Sequence, residues 1–98
     1  MLYSATVPGM RWSLSFAEYE DDLFYSVRTS DRRMNAGRLI REVIEARGGS
    51  AGGHGTMAGA RLGVKGLSEA ARRRLKDEVV RAFLEAFGVR ARKARRLV

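Results

Sequence analysis

The sequence predicts an α+β fold in which two main helices pack on a mixed β-sheet, in the element order β-β-α-glycine loop-β-α. Apolar and polar residues alternate along 11–17, 23–28 and 60–64, which is typical of half-buried strands. Two longer segments, one after Asn35 and one after Ser68, instead carry apolar residues at helical spacing. Because each element has a single apolar side, packing the helices against the sheet buries all of these sides together.

The first two strands form a hairpin in this prediction. An apolar row that begins at Trp12 lines one face of the first strand, and the residues 18–22 connect this strand to the second. In the second strand Ser26 and Arg28 share a face with Phe24, opposite the apolar row. Whether a further strand lies near the N-terminus is left open.

Two helices follow from capping and termination signals. Asn35 is a candidate N-cap for an amphipathic helix of about three turns, which a glycine pair ends. Ser68 caps a longer helix, and Gly88 closes it. Residues 1–88 therefore make a single domain, and residues 89–98, with five bases and no acid, form a basic C-terminal tail.

The segment 48–59 holds six of the eleven glycines and the only histidine, His54. Glycine adopts positive φ without penalty but costs folding entropy, so this density predicts backbone that approaches a ligand closely. An anion such as phosphate is the usual ligand of converging backbone N–H groups. We expect a single helical turn or a tight bend at 56–60, and a helical start there would add a partial positive charge. A plain flexible loop is the alternative.

The net charge of +8 is unevenly spread. Residues 1–27 carry one base and four acids, residues 28–65 carry eight bases and three acids, and residues 66–98 carry ten bases and four acids. Such a field favours an anionic partner, a nucleotide or nucleic acid first. An arginine-rich composition without a functional reason would explain it equally well.

Length and composition set further bounds. The 98 residues are enough for one domain but not for a catalytic lobe plus a substrate lobe. The absence of cysteine excludes disulfides and cysteine-based zinc sites. No apolar run approaches the ~18 residues that span a bilayer, and the first residues lack the features of a secretory signal. We expect a cytoplasmic protein with no membrane partner.

The titratable residues do not predict a catalyst. Four N-terminal acids fall in a hairpin turn, where solvation accounts for them, and Glu42 and Glu45 lie beside arginines on a helix exterior. A lone histidine without cysteines or clustered carboxylates does not make a divalent-metal site. Ser50 or Thr56 with His54 lacks an orienting acid, and the Gly-Lys-Ser/Thr of a P-loop is missing. We expect no catalytic residue and no metal ligand in this chain.

Three motifs in order carry a family resemblance. The string at 52–59, Gly-Gly-His-Gly-Thr-Met-Ala-Gly, is similar to a Gly-Gly-His-x-x-(Ala/Met)-Ala-Gly signature. Residues 24–29 are similar to a strand that ends in Ser-x-Arg, and residues 35–37 to an Asn-Ala-Gly helix start. Together they resemble the DHH-associated domain, subfamily one. This domain is the C-terminal lobe of the DHH phosphoesterases, which include RecJ-like exonucleases, nanoRNases and exopolyphosphatase-like proteins.

The resemblance implies a division of labour between two lobes. In that family the glycine–histidine loop faces a cleft and holds substrate phosphate, while a separate lobe with Asp-His-His motifs binds manganese and activates the attacking water. Carried over to this sequence, the resemblance implies six substrate- or phosphate-binding residues: Gly52, Gly53, His54, Arg28, Ser26 and Asn35. Helix capping explains Asn35 equally well.

Several functions follow as expectations. The first is the substrate-binding lobe of a manganese-dependent phosphoesterase, acting on a nucleotide or short single-stranded nucleic acid with a DHH catalytic lobe as partner. The alternative is a stand-alone RNA- or nucleotide-binding module without catalysis. A third is an interaction domain in which the glycine loop only closes a tight turn. Because the 98 residues contain no Asp-His-His motif, the sequence does not choose between an excised lobe and a free-standing module.

Overall fold

The computed structural model describes residues 2–7 and 10–96, and the side chains of residues 11–88. The elements in chain order are β1 (Leu2–Val7), β2 (Met10–Tyr19), β3 (Asp22–Thr29), a short 3-10 helix (Arg32–Met34), α1 (Ala36–Glu45), β4 (Ser50–Gly53), β5 (Met57–Gly63) and α2 (Glu69–Arg96).

The five strands form one sheet in the order β1-β2-β3-β5-β4. The α+β class and the two main helices are therefore confirmed, and the strand left open near the N-terminus is present as β1. The sheet is antiparallel at each described pairing rather than mixed. The physical reason is the connection through α1, which carries the chain to the far edge of the sheet. β4 forms at that edge, and β5 then pairs with both β4 and β3.

Both helices pack on the same face of the sheet. Trp12 of β2 stacks on Phe87 of α2 with ring centroids 4.0 Å apart, and Tyr25 of β3 contacts Phe83 of α2 at 5.7 Å. Leu39 and the other apolar residues of α1 are buried in the same core. Burial of each large apolar side chain contributes roughly 1.5–3 kcal/mol, so this face holds the fold together.

The predicted helix starts are confirmed. The Asn35 Oδ1 accepts a hydrogen bond from the Arg38 amide at 3.1 Å, and the Ser68 Oγ accepts one from the Ala71 amide at 3.1 Å. The predicted end of α2 at Gly88 is wrong, because the helix continues to Arg96. A single glycine inside a helix costs only ~1 kcal/mol relative to alanine, which a long helix tolerates. The last two residues of the predicted tail lie outside the described residues.

The glycine-rich segment is a β-hairpin rather than a loop. Its first half forms β4, which the sequence did not predict, and its second half begins β5 at Met57 instead of at Ala60. The helical turn expected at 56–60 is therefore wrong. The cause is pairing with β3, in which Arg28 lies opposite Met57. The first hairpin is also tighter than predicted, with only Glu20 and Asp21 between β2 and β3.

The second face of the sheet, which we call the outer face, is not covered by a helix of the described chain. It is formed by the even-numbered residues of β3 and by their register partners. The strand positions on it whose side chains or glycine backbone are described are Arg11, Ser13, Ser15, Ala17, Tyr19, Asp22, Phe24, Ser26, Arg28, Ser50, Gly52, Met57, Gly59, Arg61 and Gly63. The predicted placement of Ser26, Arg28 and Phe24 on one face is thereby confirmed.

Candidate functional site

The turn of the β4–β5 hairpin is docked on the first turn of α1. The Gly37 amide donates to the His54 carbonyl at 2.8 Å, and the Ala36 amide donates to the Gly55 carbonyl at 3.0 Å. These amides would otherwise lack partners at the start of a helix. The N-terminus of α1 is therefore satisfied by the protein itself.

Two glycines are required by this docking. A Cβ built on Gly37 would lie 2.8 Å from the Gly53 carbonyl oxygen and 3.1 Å from the His54 nitrogen. Gly53 has a φ of 154°, and a Cβ there would collide with the Met57 carbonyl. All these neighbours are backbone atoms that cannot move aside as a side chain can. Gly37 and Gly53 are thus explained by the fold.

Gly52 and Gly59 are not explained in this way. They lie opposite each other on the outer face in the β4–β5 ladder. A Cβ on Gly52 would meet no atom within 4 Å, and a Cβ on Gly59 would make only an ordinary contact of 3.7 Å with the Tyr25 carbonyl oxygen. Since glycine weakens a strand interior, its presence at both positions has no structural reason in the described chain.

His54 presents an exposed imidazole at the hairpin turn. Its amide donates to the Met57 carbonyl at 2.9 Å, and its ring Nδ1 accepts from the Thr56 amide at 3.4 Å. With Nδ1 acting as acceptor, the neutral ring carries its proton on Nε2. The ring therefore has a hydrogen-bond donor left for a ligand.

The sheet register brings most of the predicted site residues together. Arg28 is exposed at the end of β3 opposite Met57, the residue whose carbonyl accepts from the His54 amide. Ser26 lies opposite Gly59, which in turn lies opposite Gly52. Neighbouring strands are ~4.8 Å apart, so these residues occupy one corner of the outer face beside the hairpin turn.

Asn35 is the predicted site residue with a different environment. Its side-chain oxygen is engaged by the Arg38 amide, and the helix it caps is bonded to the hairpin turn. The sequence left substrate binding and helix capping as equal explanations of Asn35, and the structure shows the capping contact.

Arg32 is a neighbour of the turn that the sequence did not single out. A Cβ built on Gly55 would lie 3.6 Å from both the Cβ and the Cγ of Arg32, so the stem of this arginine runs beside the turn. Asp31 binds Arg33 instead, with a shortest contact of 2.7 Å. The guanidinium of Arg33 lowers the pKa of Asp31 below its ordinary value. In the described part of the chain, Arg28 and Arg32 have no ion-pair partner. The only sequence signal was the Asp-Arg-Arg run that follows the strand.

The anion cradle expected from the sequence differs from the observed site. No helix starts directly after His54. The helix N-terminus at the turn is that of α1, whose Ala36 and Gly37 amides are already bonded to hairpin carbonyls, and the His54 amide is bonded within the hairpin. The side chains beside the turn that can bind an anion are one imidazole and two guanidinium groups.

The described residues do not fit a metal ion. No three His, Cys, Asp or Glu side chains converge within them. Two acids at the β2–β3 turn, Glu18 and Asp21, are held in ion pairs with Arg72 and Lys76. Among the described helices, none combines the length and apolar character that a membrane span requires.

The structure thus defines a small α+β domain that brings a histidine and two arginines, unpaired within the described residues, to one end of an antiparallel sheet. A family model, the DHHA1 domain, matches residues 11–86. The chain belongs to this family, the DHH-associated domain of the DHH-family phosphoesterases, as its motifs indicated. DHHA1 domains occur together with a DHH catalytic domain. No curated protein matches the chain.

Proposed function

We propose that this domain is the substrate-binding lobe of a DHH-family metal-dependent phosphoesterase. It holds the phosphate of a nucleotide or short oligonucleotide at the β4–β5 turn while a separate DHH lobe hydrolyses the substrate. Family membership supports the association with a phosphoesterase. The observation that carries the binding role is the placement of two arginines beside the turn that bears His54: Arg28 pairs with Met57, and the stem of Arg32 lies beside Gly55. Neither arginine has an ion-pair partner among the described residues.

Each group has a distinct part in holding the phosphate. The Nε2–H of His54 donates to one phosphate oxygen, and the planar guanidinium of Arg28 donates two parallel hydrogen bonds to others. Hydrogen bonds to charged groups contribute about 1.5–3 kcal/mol each. Gly52 and Gly53 carry no side chain, so the phosphate can approach the hairpin closely. Ser26 adds a hydroxyl one row away along β3.

This lobe positions the substrate and does not perform the chemistry. No three His, Cys, Asp or Glu side chains converge among the described residues, so manganese is proposed for the separate lobe only. Fixed placement of a reacting phosphate lowers the entropic part of the barrier. The cytoplasmic location stays a prediction.

Titration calorimetry with inorganic pyrophosphate and a nucleoside monophosphate tests the proposal on the full chain. His54→Ala and Arg28→Ala should each weaken binding roughly tenfold, because each removes a hydrogen bond to a charged group. Arg74→Ala is the matched control, since Arg74 is exposed and unpaired within the described residues but lies on the first half of α2. Equal affinity of the wild type, His54→Ala and Arg28→Ala would rule the proposal out. The stand-alone module predicts the same binding but no hydrolysis by the native polypeptide.

A further inference from the structure

We infer that the outer face of the sheet is a stacking surface for an unpaired nucleic acid strand, with Phe24 and Tyr19 as the base-contacting residues. This inference rests on the proposed function, because it extends the strand away from the phosphate held at the hairpin turn. It adds contacts to the bases of a single-stranded oligonucleotide to the proposed phosphate contact.

The two aromatic rings are exposed on the outer face. Tyr19 is 68% exposed and Phe24 is 41% exposed. In the β2–β3 ladder Tyr19 pairs with Asp22 and Ala17 pairs with Phe24, so the two aromatic positions are diagonal neighbours on one face. Neither ring stacks on another aromatic ring within the described residues. Exposed rings on a sheet are suited to stacking on bases, which all have a π-face.

The charge of the face matches a polyanion. Arg11 and Arg28 are exposed on it and form no ion pair within the described chain. Among the described positions of the face the one acid is Asp22, which Arg61 neutralises at 3.0 Å. Aromatic rings interspersed with cations fit a ligand that alternates bases with phosphates better than a purely apolar partner.

Between the arginines and the aromatic rings, the described side chains of the outer face are small or absent. Among the residues whose side chains are described, the row that crosses the sheet at this level consists of Ser15, Ser26, Gly59 and Gly52. The fold does not require glycine at the last two positions. Side chains there would stand between the hairpin turn and the aromatic rings, so their absence leaves a path for the strand.

The dimensions favour a ligand longer than one nucleotide. Arg28 and Phe24 are four residues apart on β3, which corresponds to ~13 Å, and Tyr19 lies beyond Phe24. Stacked nucleotides advance ~3.4 Å each, so the distance from Arg28 to Phe24 accommodates roughly four. A duplex keeps its bases inside, which leaves only single strands to stack on the rings.

Fluorescence anisotropy with a labelled single strand of about six nucleotides, within the usual site size of such surfaces, tests the inference on the full chain. The variants are Phe24→Ala, Tyr19→Ala and Phe24→Trp, with Leu84→Ala as control. Leu84 is 40% exposed but lies on α2. Loss of either ring should weaken binding roughly tenfold. Phe24→Trp should retain binding, Leu84→Ala should not change it, and the matching duplex should bind more weakly than the single strand.

A second variant tests the path across the sheet. Gly52→Val should keep the fold, since valine favours strands and no atom lies near its Cβ. It should nevertheless weaken binding of the single strand, because a branched side chain obstructs the row.

The failures of the two proposals are distinguishable. If the single strand does not bind, if it binds Phe24→Ala and Tyr19→Ala as tightly as the wild type, or if the duplex binds equally well, the stacking surface is overturned. The pyrophosphate affinity of His54→Ala, measured separately, decides the phosphate site in each of these cases.

Discussion

The two ends of β3 use charged residues in opposite ways. At the Asp22 end, Arg72 binds both the Glu18 and the Asp21 carboxylates at 3.0 Å, and Lys76 binds Glu18 at 2.8 Å. About 23 Å away along the eight residues of the strand, Arg28 is exposed opposite Met57, whose carbonyl accepts from the His54 amide.

The comparison separates charged side chains that stabilise the fold from charged side chains that can bind a ligand. At the acidic end the cations of α2 attach the helix to the β2–β3 turn, so their charge is already neutralised. At the hairpin end the fold is held by backbone bonds and by glycines, and Arg28 and Arg32 have no ion-pair partner in the described part of the chain. Net charge alone does not distinguish the two ends, because both are rich in arginine.

The largest expected effect comes from disturbing the glycine geometry at the hairpin end. A Cβ on Gly53 would collide with the Met57 carbonyl and lie 2.5 Å from the Ala58 Cα. Because both neighbours are backbone, we expect Gly53→Ala to lower the free energy of unfolding by about 3 kcal/mol, measured by urea denaturation. Gly52→Ala is the control and should change it by less than ~0.5 kcal/mol. Equal destabilisation by the two substitutions would contradict this account.

The acidic end is expected to respond to pH. The Lys76 ammonium and the Arg72 guanidinium hold the pKa of the Glu18 carboxyl below its ordinary value of 4.5. A lowered folded-state pKa stabilises the protein above the ordinary pKa, and this contribution is lost as the pH falls below it. Thermal melts should therefore show Arg72→Ala less stable than the wild type at neutral pH.

At strongly acidic pH the gap between the two proteins should narrow, since the wild type has then lost the same ion pairs. Arg74→Ala, on the same helix without an ion pair in the described residues, serves as control and should melt like the wild type throughout. A gap between Arg72→Ala and the wild type that does not change with pH would mean that Arg72 acts through packing instead.

The smallest effect is expected between the two ends, at Tyr25. Its ring is buried, and its hydroxyl has no hydrogen-bond partner among the described residues. Tyr25→Phe should leave the free energy of unfolding unchanged or raise it by up to ~1 kcal/mol, because an unsatisfied polar group is removed. Urea denaturation at neutral pH measures this. Destabilisation by more than that amount would show that the hydroxyl has a partner.

The stabilities of the wild type and Tyr25→Phe should also differ at alkaline pH. Burial raises the pKa of Tyr25 from 10.0 to about 12. A raised folded-state pKa means that the stabilisation is complete below pH 10.0 and is lost as the pH rises towards 12. The wild type should therefore lose more stability than Tyr25→Phe over that interval.

The sequence by itself determined the features that depend on neighbours along the chain. Period-two alternation placed Ser26 and Arg28 on one face with Phe24, because successive strand residues point to opposite sides. Asn35 and Ser68 were recognised as caps because a cap bonds an amide only a few residues away. The glycine–histidine motif identified the family, since motif spacing is also local.

Only the tertiary structure decided the features that join distant residues. The pairing of Arg28 with Met57, the docking of Gly37 on the Gly53–His54 peptide and the position of Arg32 beside Gly55 all connect parts of the chain that lie well apart in sequence. Glycine spacing does not encode which strand the segment will pair with, so the segment was expected as a loop and became a hairpin. Strand register and backbone docking are set by contacts across the whole sheet, and for that reason they also decided which cations lie beside the hairpin turn.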